Sequence, residues 1–534
     1  MSFRVLGPLS IVLLSSMLTL GACARRQPHE APVISPRADT RAATDDEPEA
    51  PLPLLAGAAK VDITPIAGIP LGGHAIEGGV GYGLWTRLWA RAIYIEDAAG
   101  EPLVLVIADL WAMPAGLADD VVERVREHHG LKQLGRAQVL IAATHTHHSP
   151  SNYTSSRLYN RGASNTMGYD PELRDFLARR LAQAIAEAAG AAQPARLRLE
   201  SATIPGVARN RSLPPFLENP EAAGVLATNA DLETCPDYPR EVEGVDPCQA
   251  VDPTLTTLRI EDLEGRALAV AAFFAAHPTT MVNLTDAYNG DFFAIATAAA
   301  EARLAAASAE AGGPTIADPV VALFNGPQGD ISPNWEEQGP PAARELGARL
   351  GQAIIDTAHL DGQPAPGCRG QVIDGAIEST FARQPLADQE VSAPAGARTA
   401  RKPLAGRALL AGAEDGPTRF RARSPEGQTV ERHRRPGQGP KKPAVPPALF
   451  SLVFPGNMVP QEVPLSLHRL GPLTIAGLPG EFTTVLGMRI RQAIAASDAP
   501  GTPRPLLIGL AGEYMSYFVT PQEYALQHYE GGST

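Results

Sequence analysis

Two features are scarce in this sequence: cysteine and clustered positive charge. Four of the 534 residues are cysteine, and their spacing does not match a zinc site built from thiolates. Lys and Arg together number 45 against 58 Asp and Glu, which leaves a net charge of -13. Because binding to nucleic-acid phosphates needs clustered Lys and Arg, this balance argues against a nucleic-acid partner.

What is present indicates a globular protein with long loops. Apolar residues make up 44% of the chain and charged residues 19%, a balance that is globular rather than disordered. Fifty Gly and fifty Pro predict many turns between the regular elements. A chain of this length would ordinarily hold two or more domains, although length is only a soft guide.

Residues 1–23 are predicted to be an export signal of the lipoprotein type. Arg4 is followed by an apolar segment, residues 11–20, which is too short to favour a membrane-spanning helix. It leads into Leu20-Gly21-Ala22-Cys23, which resembles a bacterial lipobox whose cysteine becomes the lipidated first residue. A plain signal peptide is the alternative. We expect an exported protein, either an outer membrane lipoprotein facing the periplasm or the exterior and anchored to the membrane surface at Cys23, or a secreted one.

Residues 24–55 are rich in Pro, Arg, Asp and Glu and are predicted to form a flexible tether to a globular domain at 56–534. Cys235 and Cys248 lie close together in a Pro- and Asp-rich loop, and export would permit a disulfide between them. Cys368 would then be unpaired.

The strongest local signal is an apolar strand that ends in histidines. Residues 139–143 form a buried-strand pattern, followed by a His-Thr-His-His run and stopped by Ser149-Pro150. If the strand continues through Thr146, His145 and His147 project from the same side, since side chains alternate along a strand. Two imidazoles where a strand meets solvent are well placed to hold a metal ion. Two hydrogen-bonded histidines at a strand end are the alternative.

A β-α-β pattern surrounds this signal. Residues 103–108 are a buried-strand pattern that ends at Asp109, residues 117–129 are amphipathic, and the strand at 139–143 follows. A parallel pair with a helical crossover places Asp109 and His145 at the same carboxyl edge, where open α/β sheets bind ligands. Asp109 could orient a ligand histidine there, or it could cap a turn.

Two further buried-strand patterns end in polar groups. Residues 268–276 lead into His277, and residues 320–324 lead into Asn325. Together with His145, these groups favour one convergent site at the strand ends over three independent structural roles.

The remaining segments complete an α/β prediction: mixed or mostly parallel sheets with flanking helices, and a metal site at the carboxyl ends of strands. Helices are predicted over 171–189, 294–308 and 341–358 and after 484, and strands over 195–204, 463–478 and 506–510. Between about 380 and 447 the periodicity is lost, and many Arg, Lys, Pro and Gly residues predict a long surface excursion. A nucleic-acid-binding arm is the weaker interpretation of that segment.

Short motifs follow one another from residue 57 to the end. They are Lys60-Val61-Asp62-Ile63-Thr64-Pro65, Ala143-Thr144-His145-Thr146-His147, Asn210-Arg211-Ser212, Phe274 through Met281, Gly329 through Asn334, Gly480 through Thr484, and Tyr524 through Thr534. In this order they resemble the N-terminal catalytic domain of the neutral/alkaline non-lysosomal ceramidase family. Each motif alone is weak, whereas the ordered set is specific. Family members continue into a C-terminal β-sandwich, which we expect this chain to lack because it stops at Thr534.

The resemblance implies a zinc ion held by His145, His277, Glu481 and Tyr517. Tyr514 lies nearby, and Tyr517 is preferred because its spacing to Tyr529 matches the family pattern. Ser332 matches the family's catalytic serine. His147, Arg211 and Tyr529 match groups that line the reacting amide or stabilise its oxyanion. For Arg211, a surface salt bridge is the alternative.

The implied ligands are chemically suited to Zn2+, which lowers the pKa of a bound water to about 7 and can polarise a carbonyl. Ser332 lacks the Gly-x-Ser-x-Gly elbow of α/β-hydrolases, so a triad of that type is not expected. Either zinc-bound hydroxide attacks the amide, which we favour, or Ser332 attacks after activation by zinc or His147.

The implied function is zinc-dependent hydrolysis of the N-acyl amide bond of ceramide or a related lipid, which releases a fatty acid and sphingosine. The alternatives are hydrolysis of another N-acyl amide or ester at the same site, and a surface lipoprotein that binds lipid without turnover. The complete ligand set and Ser332 argue against the lipoprotein without turnover.

One stretch departs from the family pattern. After His147 the family usually reads Ser-Gly-Pro-Gly-Gly, whereas this chain has His148-Ser149-Pro150-Ser151-Asn152. We expect this loop to lie beside the metal, where it would change the substrate pocket, and we expect His148 to be structural.

Overall fold

The computed structural model of the chain describes residues 54–235, 242–310, 312, 318–362, 370–391, 397–430, 437–444 and 459–533. The predicted export signal with Cys23, most of the predicted tether, Cys368 and Thr534 lie outside the described residues. Leu54 and Leu55, which we assigned to the tether, instead begin the first strand. The reason is that Leu54 is buried in the core and pairs with Ala195.

The described strands form two large sheets, one small sheet of three strands and three short pairs. In chain order they are β1 (Leu54–Asp62), β2 (Ile69–Gly72), β3 (Val80–Gly81), β4 (Gly83–Leu84), β5 (Trp89–Glu96), β6 (Pro102–Ala108), β7 (Val139–Ala143), β8 (Ser149–Pro150), β9 (Gln193–Thr203), β10 (Ala208–Asn210), β11 (Thr254–Glu261), β12 (Ala267–Phe274), β13 (Ala287–Tyr288), β14 (Val320–Asn325), β15 (Ile331–Pro333), β16 (Gln371–Ile373), β17 (Ile377–Pro385), β18 (Glu462–Leu470), β19 (Leu473–Gly477), β20 (Glu481–Phe482), β21 (Leu506–Ile508) and β22 (Tyr517–Phe518).

Side-chain caps start two of the helices in the part of the chain that the structure describes. The helix Pro171–Gly190 starts after Asp170, whose carboxylate accepts hydrogen bonds from the N–H groups of Glu172 and Leu173. In chain order the α-helices of the described part are α1 (Ala115–His128), α2 (Tyr159–Gly162), α3 (Pro171–Gly190), α4 (Leu213–Leu217), α5 (Ala222–Thr228), α6 (Asp291–Glu310), α7 (Pro340–Thr357), α8 (Thr484–Ala495), α9 (Pro521–Leu526) and α10 (Tyr529–Ser533).

The largest sheet has nine strands in the order β14-β12-β11-β9-β1-β5-β6-β7, with β16 beside β9. The pairs β6/β7 and β12/β14 are parallel, and the other pairs are antiparallel. A mixed sheet is confirmed, whereas the mostly parallel alternative is wrong. Short turns join β5 to β6 and β11 to β12, and connections this short allow only antiparallel pairing.

This sheet is the middle layer of three. On β5, Ala92 and Tyr94 pack toward α1 and α3, whereas Ile93 and Ile95 pack toward a second sheet with the order β17-β18-β19-β21. Helices α6 and α7 pack on β11, β12 and β14. The central strands are therefore covered on both faces, which explains their continuous apolar runs.

The predicted β-α-β unit is confirmed. Strands β6 and β7 are parallel, with Ala108 opposite Ala143, and α1 lies between them in sequence. The predicted helices near 171–189, 294–308 and 341–358 are α3, α6 and α7. Asp109 and the loop that carries His145 consequently lie at the same edge of the sheet.

Helix α6 is long and apolar enough to cross a membrane by length and composition, yet half of its apolar window is buried inside the protein. Glu301 on this helix accepts hydrogen bonds from Arg91 at 2.8 Å and from Lys60 at 2.9 Å. Packing against α7 and the large sheet accounts for the apolar composition.

Cys235 and Cys248 form the predicted disulfide, with Cα atoms 5.6 Å apart. Both residues are buried. The Asp246 carboxylate accepts hydrogen bonds from the backbone N–H groups of both cysteines, at 3.1 and 2.9 Å. The loop is thus closed by a covalent link and by one shared acceptor.

The segment from 380 to 447 is more than the surface excursion that we expected. Strand β17 extends the second sheet to Pro385, and Leu404 and Asp415 are each only 2% exposed. The Gly406 N–H donates to Ser533 O at 2.9 Å, which attaches this segment to α10. Scattered contacts of this kind, instead of one regular element, hold the described part, and such contacts leave no periodic pattern in the sequence.

His468 on β18 should make the protein less stable in mild acid. Its ring is fully buried, and burial lowers its pKa from 6.5 to about 4. Below pH 6.5 the unfolded chain takes up a proton that folded His468 does not, so stability is lost as the pH falls toward 4. The free energy of unfolding should fall in both proteins between pH 7.5 and pH 5, measured by urea denaturation. We expect this fall to be about 2 kcal/mol smaller in His468→Phe than in the parent.

The exposed His129 provides the control: His129→Phe should keep the pH dependence of the parent. If His468→Phe also gave a curve parallel to that of the parent, the buried ring of His468 would not be a source of acid sensitivity.

Candidate metal centre and catalytic site

Loops that follow several strands meet at one edge of the large sheet. Strand β7 ends at Ala143, and His145 then adopts a left-handed backbone with φ 72°. The strand does not continue through Thr146, which was the condition for placing His145 and His147 on one side of it. The backbone turns away at His145, whose N–H donates to Leu110 O at 2.9 Å. The two histidines still face one site, since His145 Nε2 and His147 Nε2 lie 3.2 Å apart.

His277 and Glu481 reach the same place from distant parts of the chain. Glu481 Oε1 lies 3.3 Å from His145 Nε2, and Glu481 Oε2 lies 2.7 Å from His277 Nε2. All three side chains are buried. Their ligand atoms lie within 4.8 Å of one another, which is close enough to bind one metal ion.

The hydrogen bonds of the two imidazoles decide which atoms face Glu481. His145 Nδ1 lies 2.6 Å from Trp111 O, and His277 Nδ1 lies 2.9 Å from Ile331 O. A carbonyl oxygen only accepts, so each Nδ1 carries a hydrogen, and each Nε2 of a neutral ring presents a lone pair. Burial and the Arg211 charge lower the pKa of His277, which favours its neutral ring. Two lone pairs then face a carboxylate, an arrangement that a divalent cation would stabilise.

Two tyrosines lie beside this carboxylate. Strands β20 and β22 pair with Glu481 opposite Tyr517. The Tyr514 hydroxyl donates to Glu481 Oε1 at 2.6 Å, whereas the Tyr517 hydroxyl accepts from Arg211 at 3.1 Å. Burial and the charge of Glu481 raise the pKa of both phenols. Tyr514 therefore contacts the carboxylate directly, and Tyr517 remains the predicted ligand.

Arg211 is a buried cation next to the centre. Its side chain donates to Asp415 at 3.1 Å and to Glu530 at 3.0 Å. The guanidinium carbon also lies 5.9 Å and 5.7 Å from the ring centroids of Tyr517 and Tyr529. Since Arg211 is only 8% exposed, the alternative of a surface salt bridge is wrong.

Ser332 lies in the short strand β15, which pairs with β10. Its side chain is fully buried, and its hydroxyl donates to Asp415 Oδ2 at 3.2 Å. His147, one of the two predicted activators, instead has its ring nitrogens beside His145 and His74. Asp415 thus connects Ser332 to Arg211.

A cavity of about 420 Å³ borders these groups. Its wall includes His145, His147, Arg211, Glu481, Tyr514, Tyr517 and Tyr529, together with the apolar residues Ile76, Trp111, Leu158, Met167, Leu410 and Phe420. Several of the apolar residues are open to solvent, and Met167 is 72% exposed. The cavity therefore combines a cluster of polar groups with an apolar, partly exposed wall.

Comparison with known sequences identifies the family. The sequence profile described as "Neutral/alkaline non-lysosomal ceramidase, N-terminal" matches residues 54–345 and 342–534. The chain belongs to the neutral/alkaline non-lysosomal ceramidase family. The neutral ceramidases of Mycobacterium tuberculosis and Pseudomonas aeruginosa are each 29% identical to it, over 470 and 521 residues. These alignments cover 85% and 90% of this chain and 69% of each relative.

Solved ceramidases have the same fold. The crystal structure of neutral ceramidase from Pseudomonas aeruginosa matches with a TM-score of 0.72 at 26% identity, covering 90% of this chain and 71% of that one. A ceramidase complexed with C2 gives a TM-score of 0.74 at 26% identity and covers 90% and 72%. The family and the mixed α/β fold that the ordered motifs predicted are confirmed.

In this ceramidase-family chain, Asp109 does not orient a histidine, which was one of the two roles that we considered. Its carboxylate accepts hydrogen bonds from Trp89 N at 2.9 Å and from Arg91 at 3.2 Å. The neighbouring strand β5 thus captures the carboxylate, and the backbone carbonyl of Trp111 orients His145 instead.

Asn325, the third strand-end group that we placed in the site, has a structural role. Its side-chain amide donates to Thr144 O at 3.1 Å and to Ala276 O at 2.9 Å. Asn325 therefore ties together the two loops that carry the histidines, without facing the cavity itself.

The loop at 148–152, which departs from the ceramidase pattern, lies behind the site. His148 Nε2 is 3.0 Å from Val282 O, which is the structural role expected for it. Ser149 Oγ accepts from Trp111 N at 2.7 Å, and β8 pairs with β2. No residue of this loop is among the described residues that line the cavity, so the loop does not change the substrate pocket by direct contact.

Sequence reasoning missed three residues of the site: His74, Asp415 and Glu530. His74 Nδ1 lies 3.4 Å from His147 Nδ1, and burial lowers the pKa of His74 to about 3. In the sequence, the pair Gly72-Gly73 before His74 was the available signal for this residue. A side chain at position 73 would collide with the His147 ring, since a Cβ there would lie 2.5 Å from it. Glu530 stood inside a recognised motif without a role, and Asp415 lies where the sequence has no pattern.

The metal centre can be tested by metal content. Glu481→Gln removes the charge that faces two lone pairs, so we expect bound metal to fall from about one ion per chain to below about one tenth, measured by mass spectrometry of the purified protein. Glu513→Gln, at a carboxylate that is 8% exposed and outside the ligand set, is the matched control. Full metal content in Glu481→Gln would contradict the assignment.

The metal contents of Tyr514→Phe and Tyr517→Phe, compared with each other, show which of the two phenols binds the metal.

Proposed function

We propose that this member of the ceramidase family hydrolyses the N-acyl amide bond of ceramide or a related lipid, with zinc held by His145, His277, Glu481 and Tyr517, and releases a fatty acid and sphingosine. The observation that carries the proposal is the pair of Nε2 lone pairs that face the Glu481 carboxylate on the wall of an apolar cavity. The relatives named neutral ceramidases support the choice of substrate.

The donor set fits zinc. Two neutral imidazoles, a carboxylate and a phenol are nitrogen and oxygen ligands of the kind that zinc binds, and backbone carbonyls fix both rings. When bound, zinc polarises a carbonyl and lowers the pKa of water.

Arg211, Tyr529 and His147 would bind the reacting amide. Arg211 keeps a permanent charge beside the centre, and burial raises the pKa of Tyr529, so its hydroxyl stays protonated. Such donors stabilise the negative charge that develops on an amide oxygen during attack. His147 lies next to His145 on the cavity wall and would contact the same amide.

The burial of Ser332 favours water over the Ser332 oxygen as the attacking group. The side chain is fully buried, and its hydrogen is directed at Asp415. Ser332 is not among the described residues that line the cavity. Ser332 would then support the site from behind.

The cavity wall supports a lipid as the substrate. Ile76, Met167, Leu410 and Phe420 lie on that wall and are 38%, 72%, 36% and 36% exposed. Apolar groups at the mouth of an apolar cavity favour a ligand with a hydrocarbon chain. A lipid anchor at Cys23 and export to the outer membrane would place the protein at a membrane surface, where such a substrate is found.

Hydrolysis of a fluorescent ceramide by the purified protein tests the proposal. We expect release of the labelled fatty acid, loss of at least about 90% of the rate after treatment with a chelator, and recovery when zinc is added back. Arg211→Met should lower the rate by at least about 100-fold. The control Arg398→Met, at an exposed arginine that pairs with Asp388, should leave the rate unchanged.

The contrary results are equally specific. Purified protein with neither zinc nor amidase activity would contradict the proposal. Cleavage of simple N-acyl amides or esters without cleavage of ceramide would move the assignment to another substrate of the same site. Binding of ceramide without turnover would identify a lipid-binding lipoprotein.

A further inference from the structure

We propose that Asp415 is a positioning residue of the reaction site, and that it holds the Arg211 guanidinium and the Ser332 hydroxyl in fixed positions from the 397–430 segment. This role deepens, and for its kinetic readout rests on, the proposed hydrolysis. Asp415 belongs to a stretch without any sequence pattern, yet its side chain is 2% exposed and lies on the cavity wall.

Donors from three separate parts of the chain converge on this carboxylate. Oδ2 accepts from Thr279 Oγ1 at 2.6 Å, from Ser332 Oγ at 3.2 Å and from Arg211 at 3.1 Å. Oδ1 accepts from the same arginine nitrogen at 3.3 Å. Thr279 follows β12, Ser332 is on β15 and Arg211 follows β10, so one carboxylate connects the loops around the centre.

The turn that carries Asp415 is held in place by its backbone. Gln338 Nε2 donates to Asp415 O and to Thr279 O, both at 2.9 Å. Gly412 has φ 70°, which favours glycine, and the Thr418 N–H closes the turn on Ala411 O at 2.9 Å. The carboxylate is therefore delivered by a rigid turn and not by a loose loop.

The same turn packs tightly against His74. A Cβ on Gly416 would lie 2.7 Å from His74 Nδ1. The residue after Asp415 must therefore be small for the turn to pack against His74, which in turn lies beside His147.

Asp415 and Glu530 bind different nitrogens of the Arg211 guanidinium. Asp415 binds one terminal nitrogen of Arg211, and Glu530 binds Nε at 3.0 Å. The other terminal nitrogen donates to Gly329 O at 2.8 Å and to the Tyr517 hydroxyl at 3.1 Å. It also lies 3.4 Å from His277 Nε2. Without Asp415, one terminal nitrogen of Arg211 would lose its acceptor, and the guanidinium would be held only by Glu530, Gly329 O and the Tyr517 hydroxyl.

The carboxylate remains ionised in this role. Burial would raise the pKa of Asp415, but the charge of Arg211 outweighs burial and lowers that pKa to about 2. Asp415 is thus suited to act as a fixed acceptor and as the counter-charge of Arg211.

Asp415→Asn separates positioning from simple filling of space, because asparagine keeps the shape but has one acceptor oxygen. If that oxygen retains Thr279 and Ser332, the amide NH2 faces the Arg211 N–H group, and two donors oppose each other. We expect kcat for fluorescent ceramide to fall by about 100-fold, with KM changed by less than about threefold. Asp388 is partly exposed, lies before the 397–430 segment and pairs with Arg398. It gives the matched control Asp388→Asn, whose kcat should be unchanged.

A double variant shows whether Asp415 acts through Arg211. If it does, Arg211→Met with Asp415→Asn should be no more than about threefold slower than Arg211→Met alone, because the two losses are not independent. Losses that multiply, or a kcat of Asp415→Asn within about threefold of the parent, would overturn the proposal. If Asp415→Asn does not fold, Thr279→Val removes one of the same hydrogen bonds, and an unchanged kcat there would overturn it too.

Crystal structures of the parent and Asp415→Asn supply a readout without turnover. We expect the contact between Arg211 and the Tyr517 hydroxyl, 3.1 Å in the parent, to lengthen beyond about 4 Å, which no longer counts as a hydrogen bond. An unmoved guanidinium would contradict the positioning role even if the parent hydrolysed no ceramide. Absence of ceramide hydrolysis by the parent would count against the proposed function alone.

Discussion

Two imidazole lone pairs that face one buried carboxylate form the interaction on which the rest of the structure depends. Backbone carbonyls of Trp111 and Ile331 hold the Nδ1 atoms of His145 and His277, so each Nε2 can only present a lone pair when the ring is neutral. A buried carboxylate that faces acceptors is costly unless a cation compensates it. The arrangement is therefore a candidate site for a metal ion.

The three-layer fold provides the rigidity that such a centre needs. The histidines come from the ends of β7 and β12 in the large sheet, whereas Glu481 follows β19 of the second sheet. The two sheets are joined beside the centre by hydrogen bonds from Gly509 N to Asn325 O at 2.9 Å and from Ala143 N to Leu510 O at 3.2 Å. Because these bonds lie within the backbone, the distance between the histidines and Glu481 is set by the packing of the layers and not by side-chain rotamers alone.

Much of this could be predicted from the sequence where the determinants are local. Period and apolar runs predicted β6, α1 and β7, and residue type at strand ends predicted His145 and His277. The antiparallel order of the large sheet could not be predicted by the same patterns, since buried strands look alike in either direction. Asp109 was misassigned because its partner Arg91 comes from a neighbouring strand, and Asp415 was missed because a turn held by glycines and by Gln338 has no periodicity. A backbone partner such as Trp111 O leaves no side-chain signal at all.

The most direct measurement of the central claim is anomalous diffraction at the zinc absorption edge, from crystals of protein purified in its active form. We predict a single strong peak about 2.0–2.2 Å from His145 Nε2, His277 Nε2 and a carboxylate oxygen of Glu481. Crystals of protein that hydrolyses ceramide, but with no peak among these three residues, would contradict the assignment of this site as the metal centre.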